Sequence, residues 1–143
     1  MRLTKYIILI ILGLGFYFYV FNKTDLETRE FAIGDKLLQV ELVKTEVQKT
    51  KGLSGRRLAQ NGGMLFVYSE PDYYSIWMPE MNFAIDIIWL DSRCKVVDIK
   101  ENATPESYPE IFKPKEKASY ILEVVAGFVF ENNLTIGSQA QGC

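Results

Sequence analysis

The sequence predicts a mainly β fold: a compact sandwich or barrel-like antiparallel β domain with one or two short helices, preceded by an N-terminal transmembrane helix. Three observations carry this. Short segments alternate apolar and polar residues at period two, as strands with one buried face do. Gly, Pro, Asn and Asp punctuate those segments at close intervals, which suits turns and leaves no space for long helices. One uncharged apolar run stands apart at the N-terminus, behind basic residues.

That run extends from Tyr6 to Phe21 (YIILIILGLGFYFYVF), after Arg2 and Lys5, and closes at Asn22 and Lys23. As a helix it would be about 24 Å long, enough to cross a bilayer with little tilt when its flanking lysines snorkel. A cleaved export signal ends in small residues, whereas this run exits through Phe18-Tyr19-Val20-Phe21, aromatic residues suited to a membrane interface. The expectation is an uncleaved signal anchor over 6–21, with 1–5 cytoplasmic, 22–30 a polar tether and 31–143 a β-rich domain on the extracytoplasmic side. A cleaved peptide is the alternative. The membrane is then the first expected partner, reached through the N-terminal helix in a single pass. Cys94 and Cys143 suit an exported chain, either as a disulfide or as separate thiols.

Within the domain, Leu38, Val40 and Leu42 alternate with Gln39 and Glu41 and predict a strand. Thr45 stands three residues before Gln48, a capping-box spacing, and Gly52 closes the segment, so a short helix is predicted over Glu46–Lys51. Gly62-Gly63 reads as a turn before a strand over Met64–Tyr68, and Pro71-Asp72 as another turn. Ser75–Met78 and Phe83–Leu90 are rich in β-branched and aromatic residues, and Asp91–Cys94 joins the second to Val96–Ile99 in a hairpin. Three prolines between Glu101 and Ala118 predict a long irregular loop, a lid or a surface excursion. Ser119–Val125 is a strand, Phe128–Asn133 a helical turn, and the chain ends in an edge segment from Ile136.

Net charge is −2 with scattered basic residues, so nucleic acid is not an expected partner. The chain contains no histidine, which removes the usual general base and the usual zinc ligand. No cofactor and no metal are predicted. Any chemistry must run on carboxylates, Lys, Tyr, Ser or Cys.

Four blocks, Lys51–Arg56 (KGLSGR), Gly63–Tyr68 (GMLFVY), Trp77–Asp91 (WMPEMNFAIDIIWLD) and Tyr120–Gly127 (YILEVVAG), resemble the signature of the domain of unknown function 192 family, in its order and spacing. The matching positions are Gly52, Leu53, Arg56, Gly63, Met64, Leu65, Phe66, Trp77, Met78, Asp86, Glu123 and Gly127. The resemblance implies an export signal and a compact β-rich sandwich-like fold, and it implies no mechanism. Pro79-Glu80, Ala84 and Cys94 depart from the commonest family pattern.

The candidate site residues are the polar ones in apolar settings. Asp86 lies between Ile85 and Ile87, and Glu123 between Leu122 and Val124; a carboxylate in such a strand must face solvent or find partners. Each is either a structural acceptor or ion-pair member, or a ligand-binding or catalytic group. Brought together, they could act as a paired-carboxylate hydrolase. Arg56 offers a planar fork for Asp86, Glu123 or a bound anion. Trp77, with Tyr73, Tyr74 and Trp89, forms an aromatic cluster able to stack on a sugar or another flat ligand, and Trp77-Met78 closes a strand where binding residues are common. The expected function is a membrane-tethered module binding a small-molecule or carbohydrate-like ligand through Arg56, Trp77, Met78, Asp86 and Glu123. The alternatives are the hydrolase and an envelope protein-interaction module.

Overall fold

In the computed structural model, residues 26–143 are described. The signal anchor expected over 6–21 lies outside them; among the described residues no helix is long and apolar enough to cross a membrane. The strands are β1 (Thr28–Ile33), β2 (Lys36–Val43), β3 (Gly62–Asp72), β4 (Ile85–Leu90), β5 (Val96–Ala103), β6 (Ala118–Val125) and β7 (Ala140–Gln141). The helices are α1 (Glu46–Lys51) and α2 (Phe128–Glu131), with a single 3-10 turn at Pro105–Ser107. β1 begins inside the stretch read as tether, since Thr28–Glu30 pair with Gln39–Glu41.

All the strands belong to one sheet, in the order β5-β4-β6-β3-β2-β1-β7. The fold is therefore a curled half-barrel rather than two sheets packed face to face. Bulges supply the curl: the register shifts between Val67 and Asp72 of β3, between Ile85 and Ile87 of β4, and between Trp89 and Leu90, and each such shift sharpens the local twist. At one end the two edges meet. A bridge joins Lys95 to Gln139, and the Val96 N–H donates to the Ser138 carbonyl at 2.9 Å while the Gly137 N–H donates to the Val96 carbonyl at 2.8 Å. A disulfide between Cys94 and Cys143 lies across this seam, with Cα atoms 6.0 Å apart.

One pair departs from the antiparallel expectation. β2 and β3 run parallel, with Val40 opposite Gly63 and Leu42 opposite Leu65. Parallel neighbours need a crossover of a dozen or more residues, and the segment 44–61 supplies it. α1 begins it as the sequence predicts: Thr45 accepts from the Gln48 N–H, and the Gln48 side chain accepts from the Thr45 N–H. Gly52 then turns the chain back at φ +45°. The Gly62-Gly63 pair is strand and not a turn. A Cβ on Gly63 would stand 3.1 Å from both Leu122 Cδ1 and Val40 Cγ1, so glycine here admits close packing of β3 between β2 and β6.

Both faces of the sheet are covered. One apolar cluster contains Phe31, Val40, Leu65, Ile88, Leu122 and Val96. β1 and β5 lie near opposite ends of the strand order yet share this cluster, which makes it the concave interior. The second cluster holds Met64, Phe66, Ile87, Trp89 and Ile121 on the convex face, covered by Leu53, Ile76, Met78 and Phe112 from the connecting segments. In consequence β4 is buried along its whole length. The Ser75–Met78 segment makes only a two-residue bridge, Ile76 to Phe112, and that bridge pins the long Pro-rich loop to the domain. The loop is held again where the Lys115 N–H donates to Asp98 at 2.7 Å, so it is a fastened strap.

The disulfide closes a loop with a sequence separation of 49, and cross-linking a loop of that size is worth about 4 kcal/mol in the chain-entropy account. Cys143→Ser is expected to lower the denaturant midpoint by a corresponding amount. Reduction of the wild type should reproduce the loss, while the variant should not respond to reductant.

Candidate functional site

Strand alternation decides where the two buried acids go. In β4, Asp86 points to the same side as Ile88 and Leu90, into the concave core; in β6, Glu123 points to the same side as Ile121, toward the convex face. The register agrees, because Asp86 stands opposite Val124, whereas Glu123 stands opposite Ile87 and, on its other side, Met64. The two carboxylates therefore occupy opposite faces of one sheet. A paired-carboxylate hydrolase centre needs both acids on one substrate, and this placement separates them.

Asp86 is fully buried and fully occupied. Its Oδ1 accepts from the Asn102 N–H and its Oδ2 from the Val129 N–H, each at 2.9 Å. Asn102 lies in the bulge of β5, where the ladder no longer supplies an acceptor. Val129 lies in the first turn of α2, whose leading residue, Gly127, sits at φ +94° and brings no capping side chain. Asp86 thus does from a neighbouring strand what an N-cap residue does locally. In this fold Asp86 serves as the acceptor for two backbone N–H groups.

Arg56 meets neither acid. Its Nη2 lies 2.8 and 2.6 Å from the two carboxylate oxygens of Glu41 on β2. The backbone around it serves as a tie, in which the Gly55 N–H donates to the Glu80 carbonyl at 2.9 Å and Ser54 Oγ to the Pro79 carbonyl at 2.8 Å. These contacts join the loop after α1 to the segment that carries Trp77 and Met78.

Between them opens a cavity of about 340 Å³. α1 and Gly52–Ser54 form one wall, Phe66 and Tyr68 of β3 a second, and the Tyr74–Met81 segment a third; Ile85 and Glu123 form the floor. Three of the five residues expected to bind ligand meet here: Glu123, Met78, which is 1% exposed, and Trp77, which is 48% exposed. Asp86 and Arg56 are not among the lining residues. Of the aromatic cluster, Tyr74 lines the cavity, and Trp89 is core, its Nε1 donating to the Tyr74 carbonyl at 2.9 Å. That bond fixes the third wall. Tyr68 and Lys49 carry no such mark in the sequence. Tyr68 stacks on Tyr74 with ring centroids 3.5 Å apart, and Lys49 Nζ lies 4.2 Å from the Tyr68 centroid while pairing with Glu46 at 2.9 Å. Extending the alternation Met64, Phe66 by one step would have put Tyr68 on the same face as Glu123.

Glu123 is 4% exposed. Buried between Met64 and Ile87, its carboxyl is pushed up to about 8, with burial as the cause and neither a hydrogen bond nor a neighbouring cation to offset it. At neutral pH it is mostly the neutral acid. The Tyr68 hydroxyl is also held above its ordinary range, first by burial and then by the Glu123 charge.

Fold and site together define a half-barrel β domain with a small cavity on its convex face and one unpartnered acid at the floor. The family profile of DUF192, described as "Uncharacterized ACR", matches residues 29–142, and the chain belongs to that family. A crystal structure of a Sinorhizobium meliloti protein, proposed to be a transcription regulator, superposes with a TM-score of 0.79 at 26% identity, covering 85% of this chain and 98% of that one. A Novosphingobium aromaticivorans protein of unknown function superposes at 0.78 with 24% identity, covering 85% and 89%. No curated protein matches the chain.

Two substitutions separate the roles of the acids. Asp86→Ala leaves two buried N–H groups unpaired and is expected to cost about 3 kcal/mol in denaturant unfolding, with Asp86→Asn losing roughly half as much. Glu123 behaves in the opposite way. Its folded-state pKa is about 8 against an ordinary 4.5, so between those values the unfolded chain releases the proton that the native state keeps, and stability falls as pH rises, by at most ~1.4 kcal/mol per unit. Glu123→Gln should abolish that slope in thermal melts and exceed the wild type in stability at the alkaline end.

Proposed function

We propose that this domain is a small-molecule-binding module whose site is the cavity above Glu123. One observation carries the reading: a carboxyl 4% exposed, without a donor to satisfy it, closes the floor of a ready-made cavity walled by Tyr68, Tyr74 and Trp77. No sealed side-chain oxygen among the described residues lacks a partner, so the Glu123 carboxyl oxygens open onto the cavity, where a ligand group can supply the hydrogen bond that the fold does not. The volume falls in the range that small ligands occupy. Asp86 and Arg56, each already committed to partners within the fold, are left out of this site.

We also place the module outside the cytoplasm, held by a signal anchor over 6–21. Arg2 and Lys5 ahead of an uncharged run support the orientation, and the disulfide between Cys94 and Cys143 suits an oxidising compartment.

The test is a ligand panel on the full chain in lipid nanodiscs, observed through the Met78 methyl and Trp77 indole resonances. The panel comprises neutral sugars and alcohols, small carboxylates and small ammonium ions at millimolar concentration. At least one class is expected to shift both signals together. If all classes leave them unmoved, the cavity is not a binding site and the reading falls.

A further inference from the structure

The floor of the cavity also says what kind of group it takes, an inference that rests on the proposed binding site. We propose that the ligand presents a compact organic cation, an ammonium or guanidinium group, which ion-pairs with Glu123 while its apolar part packs against Met78 and the aromatic walls.

The domain satisfies its other buried acids from the backbone. Asp86 receives two backbone N–H groups, and Asp98 receives those of Ile99 and Lys115 at 2.9 and 2.7 Å. Glu123 receives none, although it is as deeply buried. Its strand position forbids the same solution: the neighbouring N–H groups on β3 and β4 are engaged in the ladder, and its side chain projects from the sheet toward the cavity. Its donor comes from what enters the cavity, water or a ligand group.

The walls favour a positive donor. Ring faces are negative and attract cations, most strongly when water is excluded, and Lys49 over Tyr68 is an example within this cavity. An anion would meet the Glu123 carboxyl at the floor, and the only cations to draw it among the described lining residues are Lys49, already paired with Glu46, and Lys51. A neutral sugar would find the Ser69 and Ser75 hydroxyls that also line the cavity, the Ser54 and Thr50 hydroxyls being spent on the Pro79 and Glu46 carbonyls, but it would bring no counter-charge to Glu123. The charged and titratable groups facing Glu123 across the cavity are Glu46, Lys49 and Lys51 from α1, Tyr68 from β3 and Tyr74 from the third wall; β4 contributes only Ile85. The Lys49 ammonium is paired with Glu46. None of these groups supplies the counter-charge that Glu123 lacks.

A cation binds the ionised acid, so each binding event below about pH 8 releases the Glu123 proton. Affinity for a permanently charged ligand then rises with pH, by up to about tenfold per unit, and levels off above that point.

Choline, charged at every pH, and its neutral isostere 3,3-dimethylbutan-1-ol are the probes, titrated into the full chain in nanodiscs and followed through Met78 and Trp77. Choline is expected to bind at least about tenfold more tightly than the alcohol at about pH 9, and its advantage should shrink toward about pH 6. Glu123→Gln should bind the two equally at every pH. Should that variant misfold, the wild-type pH series decides alone. Tighter binding of the alcohol or of butyrate, or a choline affinity indifferent to pH and to Glu123→Gln, overturns the cation while leaving the cavity as a site. No binding by any probe removes the site itself.

Discussion

A sheet buried on both faces leaves an ionisable side chain three options: find donors in the protein, stay neutral, or wait for a partner. This constraint organises the domain. β4 and β6 are interior strands, covered on the concave side by the curl of the sheet and on the convex side by Leu53, the Trp77 segment and the strap. The acids in those strands took different options because adjacent strand positions face opposite ways. Asp86 faces a bulge and a helix start, both rich in spare N–H groups. Glu123 faces a cavity.

The cavity follows from the connections. The parallel β2–β3 pair requires a crossover, and the crossover returns over the convex face with α1 and the Gly52–Arg56 loop. The Trp77 segment is fastened beside it by Trp89, Phe112, Ser54 and Gly55. Neither excursion packs flat on the sheet above Glu123. The Ser54–Pro79 and Gly55–Glu80 bonds tie the two walls to each other beside the cavity.

Closure of the half-barrel is a separate matter. The Lys95–Gln139 bridge and the Cys94–Cys143 disulfide bind the last segment of the chain to the far edge of the sheet. This protects two edges that would otherwise be open to pairing with another chain. It also secures Val129 and Leu134 over the concave core, and with them the helix start that satisfies Asp86.

The residues themselves declared a good deal: the strand at Leu38–Leu42 through period two, the one expected over Phe83–Leu90 through its β-branched and aromatic residues, the one at Ser119–Val125, and α1 through its capping box. They also identified Asp86 and Glu123 as acids needing an explanation, because burial in an apolar strand is a local property. Sequence could not tell which acid would find donors, since the Asn102 and Val129 N–H groups that serve Asp86 lie 16 and 43 positions away. Nor could it place Arg56 against Glu41, run β2 parallel to β3, or bring Tyr68 and Lys49 beside Trp77. Those outcomes depend on how the sheet curls and where the crossover lands, and contacts between distant segments leave no periodic trace in the chain. Local alternation determined which residues would be buried; tertiary packing alone decided that Asp86 would be satisfied and Glu123 left facing an open cavity.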